Sequence, residues 1–211
     1  VVIRVKNVTF AYPETDAKVF EEFSHDFAPG SKTVIMGETG VGKSTLTKLI
    51  LALLHPQSGS LEAYSEGWRM PISSATRSLM TYVPQGNSLL HGSIRDNLLL
   101  GNPNATDEQM RQALDIAVAN FVYDLPEGLD TPCGELGSSL SEGQCQRISI
   151  ARALLRDCPV LILDEFNSSL DHATAQTLLQ RLMASRPDAT IIFISHRPEV
   201  AEYCDSVLKL K

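Results

Sequence analysis

Apolar and polar positions alternate from Val2 to Phe10, and the alternation breaks at Tyr12-Pro13, so the chain is expected to open with a strand that runs into a turn. Ser31 to Met36, rich in Val, Ile and Thr, predicts another strand. The period then changes. Leu46, Leu49, Ile50 and Leu53 recur at helical spacing, which predicts a helix over Lys43 to Leu54, stopped by His55-Pro56 and Gly59. Ser60 to Tyr64 and Leu79 to Val83 read as short strands. From Gln85 to Gln144 the texture turns helical, with Thr106-Asp107-Glu108-Gln109 a capping-box start for a helix that carries Met110, Leu114 and Val118. Beyond it the pattern predicts a helix from about Glu142 to Leu155, a strand Val160 to Leu163, a helix from about His172 to Arg186, and strands Thr190 to Ile194 and Val207 to Leu210. Strands alternating with helices imply an α/β fold with a parallel sheet and crossover helices, interrupted by an inserted helical subdomain.

Composition narrows the partners more than the fold. At 211 residues, 43% hydrophobic and 20% charged, the chain has enough apolar surface for a core without disulfide or metal staples. A net charge of −7 argues against nucleic acid as the main partner, which requires a basic face. Cys133, Cys145, Cys158 and Cys204 show no C-x-x-C pair and no histidine at zinc spacing, so they read as free thiols in a reducing compartment. The N-x-S/T triplets at Asn7, Asn104 and Asn167 are accordingly read as unoccupied. The apolar stretch Leu46 to Leu54 is too short to span a bilayer and contains Lys48. The chain starts at Val1 directly in a strand pattern, and is expected to be a part of a longer polypeptide.

Three segments carry chemistry. Gly37-Glu38-Thr39-Gly40-Val41-Gly42-Lys43-Ser44-Thr45 fits G-x-x-x-x-G-K-[ST] and lies between a predicted strand and a predicted helix. Gly40 and Gly42 let successive N–H groups converge on a β-phosphate at the positive end of the helix; Lys43 neutralises β- and γ-oxygens, and Ser44 is placed to ligate Mg²⁺. Val160-Leu161-Ile162-Leu163-Asp164-Glu165 is an all-apolar strand ending in two carboxylates, and ligands bind at that edge of open α/β sheets. Asp164 would hold Mg²⁺ and Glu165 would act as the general base on water; the plainer alternative is an acidic turn that caps the next helix. Ser141-Glu142-Gly143-Gln144 reads as a capping box, yet Gly143 has little merit in a first helical turn, which implies a close approach to its backbone.

With Leu140-Ser141-Glu142-Gly143-Gln144 ahead of the acidic strand end, nearly the whole chain resembles the nucleotide-binding domain of the ATP-binding cassette (ABC) transporter family. Leu89 to Leu98 and Leu125 to Thr131 are similar to segments of its exporter branch, in which transmembrane helices precede this domain in one polypeptide. The resemblance implies a P-loop core with a mostly parallel sheet and an antiparallel N-terminal β part over 1–85 and 146–211, and a helical signature subdomain over 86–145. It implies further roles at matching positions. Tyr12 would stack on adenine, and Gln85 would touch Mg²⁺ and the attacking water. Asp171, in Ser169-Leu170-Asp171, would link two active sites, and His196 would hydrogen-bond the γ-phosphate. Ser141, Gly143 and Gln144 would complete the nucleotide site of a partner. Thr131-Pro132-Cys133-Gly134-Glu135 resembles the segment that meets coupling helices of the transmembrane domain.

The function so implied is an Mg²⁺-dependent ATPase that works as a head-to-tail homo- or heterodimer of domains. ATP closes the pair, hydrolysis opens it, and the motion drives transport at the cytoplasmic face of the cell membrane; the isolated domain is expected to be soluble. The alternative is a non-transport cassette ATPase of DNA repair, chromosome structure or translation. It is disfavoured by the acidic charge and by the absence of heptads between phosphate loop and signature. Two departures from the family pattern stand out. Glu142 occupies a position where glycine is common, and Gly59 to Leu79 lacks the usual charged pattern, which leaves its strand pairing open.

Overall fold

Along the chain, β1 (Val2–Ala11), β2 (Lys18–Phe27) and β3 (Lys32–Met36) lead into α1 (Lys43–Ile50), then β4 (Ser58–Ser65), β5 (Trp68–Pro71) and β6 (Met80–Val83). β7 (Gly92–Ser93), α2 (Ile94–Leu99), α3 (Asp107–Ile116), β8 (Pro132–Cys133) and α4 (Glu142–Leu155) follow, and β9 (Val160–Asp164), α5 (His172–Ser185), β10 (Thr190–Ile194) and β11 (Ser206–Lys209) complete the order. The structure, a computed structural model, describes residues 1–15, 17–134 and 140–211, so Glu135 of the expected coupling segment lies outside the described residues. The chain forms two compact units, one of Val1–Thr81, Cys158–Ile162 and Asp188–Lys211, the other of Tyr82–Asp157 and Leu163–Pro187.

The first unit contains an antiparallel sheet in the order β2-β1-β4-β5 and a five-stranded sheet in the order β11-β3-β10-β9-β6. β10 and β11 both run parallel to β3, with Ile192 opposite Thr33 and Val207 opposite Val34. The apolar runs explain who sits in the middle: every residue of β9 and β10 is buried, as a strand covered on both faces requires. The edge strand β11 instead exposes Val207. β1 keeps Ile3, Val5, Val8 and Phe10 inside, but its alternation slips where Asn7 adopts φ 50° and the ladder to β2 shifts register between Val5 and Val8. The open question over Gly59 to Leu79 resolves as a hairpin: β4 pairs with β1 on one side and with β5 on the other, Ala63 opposite Met70. β2 and β5 are strands that the sequence pattern did not reveal.

α1 ends at Ile50, four residues short of the predicted Leu54. Ala52 adopts φ 53°, its N–H and that of Leu53 return to the carbonyls of Leu49 and Lys48, and Arg77 donates to the carbonyls of Leu51 and Ala52 at 2.8 Å each. In the second unit α4 packs on α2 and α3, and α3 on α5. α3 begins with the expected capping box between Thr106 and Gln109. Side chains of Ser93, Thr106, Ser141 and Asp171 cap α2, α3, α4 and α5 respectively; α1 alone of these five helices starts without one.

Candidate active site

In the first unit, β3 delivers the loop 37–42 to the start of α1. Gly42 is the N-cap, at φ 112°, and a Cβ there would lie 2.7 Å from Val19 Cγ1, so both backbone angle and space demand glycine. The first turn of α1 holds no carboxylate to compete for its N–H groups. The Lys43 ammonium arches back over the loop and donates to the carbonyls of Gly37 at 2.6 Å and Glu38 at 2.8 Å. Glu38, Thr39, Gly40 and Ser44 face solvent, Val41 is half-buried, and Thr45 is buried with its hydroxyl 3.1 Å from the Tyr12 hydroxyl. Tyr12 itself stands edge-on to Phe10, ring centroids 5.0 Å apart, and is half-buried. His196 is exposed just beyond β10, where Ser195 Oγ accepts the Arg197 N–H at 3.1 Å.

The second unit holds the remaining candidates. Asp164 ends β9 at 9% exposure and accepts the Tyr82 hydroxyl at 3.0 Å on Oδ2. Burial raises the Tyr82 pKa well above its ordinary value, and the Asp164 charge raises it further, so the phenol stays a donor. Glu165 adopts φ 45°, a left-handed conformation that costs a bulky L-residue on the order of 1–3 kcal/mol and is concentrated at functional sites. It opens a turn in which Ser168 N–H bonds the Glu165 carbonyl at 3.1 Å. That turn leads to Asp171, whose carboxylate caps α5 through the Thr174 amide at 2.9 Å and the Thr174 hydroxyl at 2.6 Å. These bonds, the hydroxyl foremost, hold the Asp171 pKa below its ordinary value.

Ser141 Oγ accepts the Gln144 N–H at 3.2 Å, and Gln144 Oε1 accepts the Ser141 N–H at 2.8 Å, so the Gln144 side chain is committed to the capping box. Gly143 is buried, and a Cβ there would lie 2.6 Å from the Ser169 carbonyl oxygen and 3.1 Å from Leu170 Cδ2. The close approach that its place in a helix implied is therefore made by the chain's own segment ahead of Asp171. The unit thus brings Ser141, Gly143 and the 165–171 turn together, while Gln85 is exposed in a bend after β6. Tyr82 belongs to no motif of the sequence, and its role in holding the buried strand-end carboxylate shows only in the structure.

A strand, a glycine-rich loop and an uncapped helix, together with an all-buried strand ending in carboxylates, define a nucleotide-binding P-loop α/β protein. The family described as ABC transporter matches residues 20–168. A family described as AAA domain, putative AbiEii toxin, Type IV TA system, matches the shorter segment 135–202. The chain is 34% identical to the mitochondrial iron-sulfur clusters transporter ATM1 of Kluyveromyces lactis, over 99% of this chain and 29% of the relative. It is 38% identical to the ATP-dependent lipid A-core flippase of Xylella fastidiosa, over 98% and 35%. It is 36% identical to the mycobactin import ATP-binding/permease protein IrtB of Mycobacterium bovis, over 98% and 36%. Among solved structures, a bacterial Atm1-family ABC exporter with ATP bound superposes with a TM-score of 0.90 at 32% identity, over 100% of this chain and 37% of the other. The chain belongs to the ABC transporter family, as an ATP-binding domain of the ATPase class, with the α/β fold expected of it. It spans about a third of the length of these relatives.

Proposed function

We propose that the domain hydrolyses ATP to power an exporter-type transporter, closing on nucleotide as a head-to-tail pair and opening after hydrolysis. The observation that carries the reading is the start of α1, which lacks a side-chain cap and a first-turn carboxylate while Lys43 is held over the loop beside it. Phosphate oxygens would take the N–H groups of that first turn, and the Lys43 ammonium would exchange its two carbonyl partners for them.

The donors fit Mg²⁺. Ser44, Asp164 and Gln85 would supply hard oxygens, a hydroxyl, one carboxylate and an amide carbonyl. That is the pattern for an ion that arrives with a nucleotide and keeps phosphate and water ligands. When bound it neutralises phosphate charge. Tyr82 would orient the Asp164 carboxylate for that role through its bond to Oδ2. Glu165 accepts a proton from the attacking water that Gln85 orients, and His196 donates to the γ-phosphate. Tyr12 stacks on adenine. Ser141 accepts the Gln144 amide and so keeps its own hydroxyl proton to offer, with the Gly143 backbone, to the nucleotide of a partner domain. Asp171 sits in the same turn system and links the two sites.

Among the described residues no helix is long and apolar enough to cross a membrane. A transmembrane domain would supply the membrane-crossing helices, and its coupling helices would meet the segment Thr131 to Gly134 at the cytoplasmic face of the membrane. The names of the relatives include both a flippase and an import permease; the exporter reading concerns domain architecture. The test is Glu165→Gln. It is expected to bind ATP as the unaltered chain does, to release no phosphate, and to accumulate an ATP-dependent dimer in size-exclusion chromatography; undiminished phosphate release would remove Glu165 as the base.

A further inference from the structure

Gln85 is exposed, yet the segment on either side of it is held by one face of α4. The Gln146 side chain, 2% exposed, donates to the Pro84 carbonyl at 3.2 Å. Ser149, 1% exposed, accepts the Ser88 hydroxyl at 2.9 Å. Arg152 donates to the Ser88 carbonyl at 3.1 Å, to Ser88 Oγ at 3.0 Å and to Asn97 Oδ1 at 3.4 Å. Asn97, buried on α2, in turn grips the backbone of Leu90, accepting its N–H at 2.8 Å and donating to its carbonyl at 2.9 Å. At the start of α4 the Glu142 carboxylate comes within 3.9 Å of where a Gly86 Cβ would sit.

Glu142, Gln146, Ser149 and Arg152 are spaced i, i+4, i+7 and i+10, which places them on one face of the helix. That face runs for about 15 Å, at 1.5 Å per residue. Its first turn also carries Ser141 and Gly143. The half-buried Arg152 guanidinium has its pKa lowered by burial, and its hydrogen-bond partners on Ser88 and Asn97 are neutral oxygens. Moving the segment away would strip a desolvated charge of its acceptors, which makes the contact resistant to loosening.

We infer that Gln146, Ser149 and Arg152 are positioning residues for Gln85: α4 is a splint that fixes the 84–90 segment in register with the signature turn at its own N-terminus. The inference rests on the reading of Gln85 as the residue that orients water. Gln85 reaches the reacting atoms; the splint acts only through it.

The experiment combines hydrogen exchange with a double-mutant cycle on this chain. Gln146→Met keeps the volume and removes the donor; Ser149→Ala removes one acceptor with little change of shape. Both should speed amide exchange across 84–90 at least about tenfold, while α3 and α5 exchange as before. Gln146→Met should lower kcat for ATP about tenfold with KM changed less than about twofold, the signature of lost alignment rather than lost binding. Gln85→Ala/Gln146→Met should be no slower than Gln85→Ala alone, within about twofold, because the splint has no other route to the chemistry. Unchanged exchange at 84–90, or a double variant slowed by the product of the two single effects, overturns the splint. Faster exchange in Gln146→Met with undiminished kcat also overturns it as a positioning device. If Gln85→Ala itself turns over normally, the fault lies in the proposed role of Gln85, and the exchange result reports on the splint independently.

Discussion

Replacing Gly143 by Ala separates two reasons for a glycine in the first turn of α4. If the residue exists only so that a nucleotide on another molecule can approach, alanine in the free domain should stabilise the helix, by up to about 1 kcal/mol. The structure predicts the opposite sign. The new Cβ would lie 2.6 Å from the Ser169 carbonyl oxygen, roughly 0.8 Å inside ordinary contact, and 3.1 Å from Leu170 Cδ2. Neither neighbour yields easily. Ser169 lies between a strained Glu165 and the Asp171 cap of α5, and Leu170 is 7% exposed. A clash at 2.6 Å with a backbone atom falls in the upper part of the roughly 1–3 kcal/mol range for overpacking, about 2–3 kcal/mol, which leaves a net loss of about 1–2 kcal/mol after the propensity gain. For a chain of this size that lowers Tm by roughly 2–8 °C. The assay is thermal denaturation of the nucleotide-free chain, at matched concentration and salt, so that binding contributes nothing to the shift. An equal or higher Tm for Gly143→Ala would refute the contact as the reason for the glycine.

Two further substitutions test groups outside the phosphate loop. Tyr82→Phe removes the hydroxyl that donates to Asp164 and should destabilise the domain by about 1.5–3 kcal/mol, as for a hydrogen bond to a charged group, seen as a lower urea midpoint at unchanged m. An unchanged midpoint would mean that the bond is replaced by water at no cost. His25 packs edge-on to Phe27, and its Nε2 is buried without a hydrogen-bond partner among the described residues; burial lowers its pKa below the ordinary 6.5, against a smaller opposing pull from Asp26. The unfolded chain therefore binds the proton more readily than the folded one, and stability should fall as pH drops below about 6.5. His25→Phe should flatten Tm between about pH 5 and about pH 7.5; the same slope in both proteins would exclude His25 as its source.

What the amino-acid pattern discloses depends on whether a residue breaks a local rule or obeys one. β3, the Gly37–Thr45 loop, β9 and β10 were legible because uninterrupted apolar runs and clustered glycines have few other uses. β2 was hidden by its own bulge: Phe27, His25 and Phe23 keep one phase, Glu22 takes φ 49°, and Phe20 then pairs with Phe10 out of step. The stop of α1 at Ile50 escaped for another reason. Its cap comes from Arg77, 26 residues away from Leu51, and nothing near Leu51 signals it. Gly143 is the intermediate case: a helical glycine announces that something comes close, while only the fold shows that Ser169 does. The remaining contacts were silent because they are locally ordinary. A tyrosine near a strand end and a Gln, Ser and Arg on a helix violate no propensity, so Tyr82 on Asp164 and the α4 face on the Gln85 segment had no sequence signature. The residues that would touch nucleotide are conspicuous in a single sequence because a ligand's demands override local preference. Residues that hold those in place work through preferences that are already satisfied, and become visible only as distances.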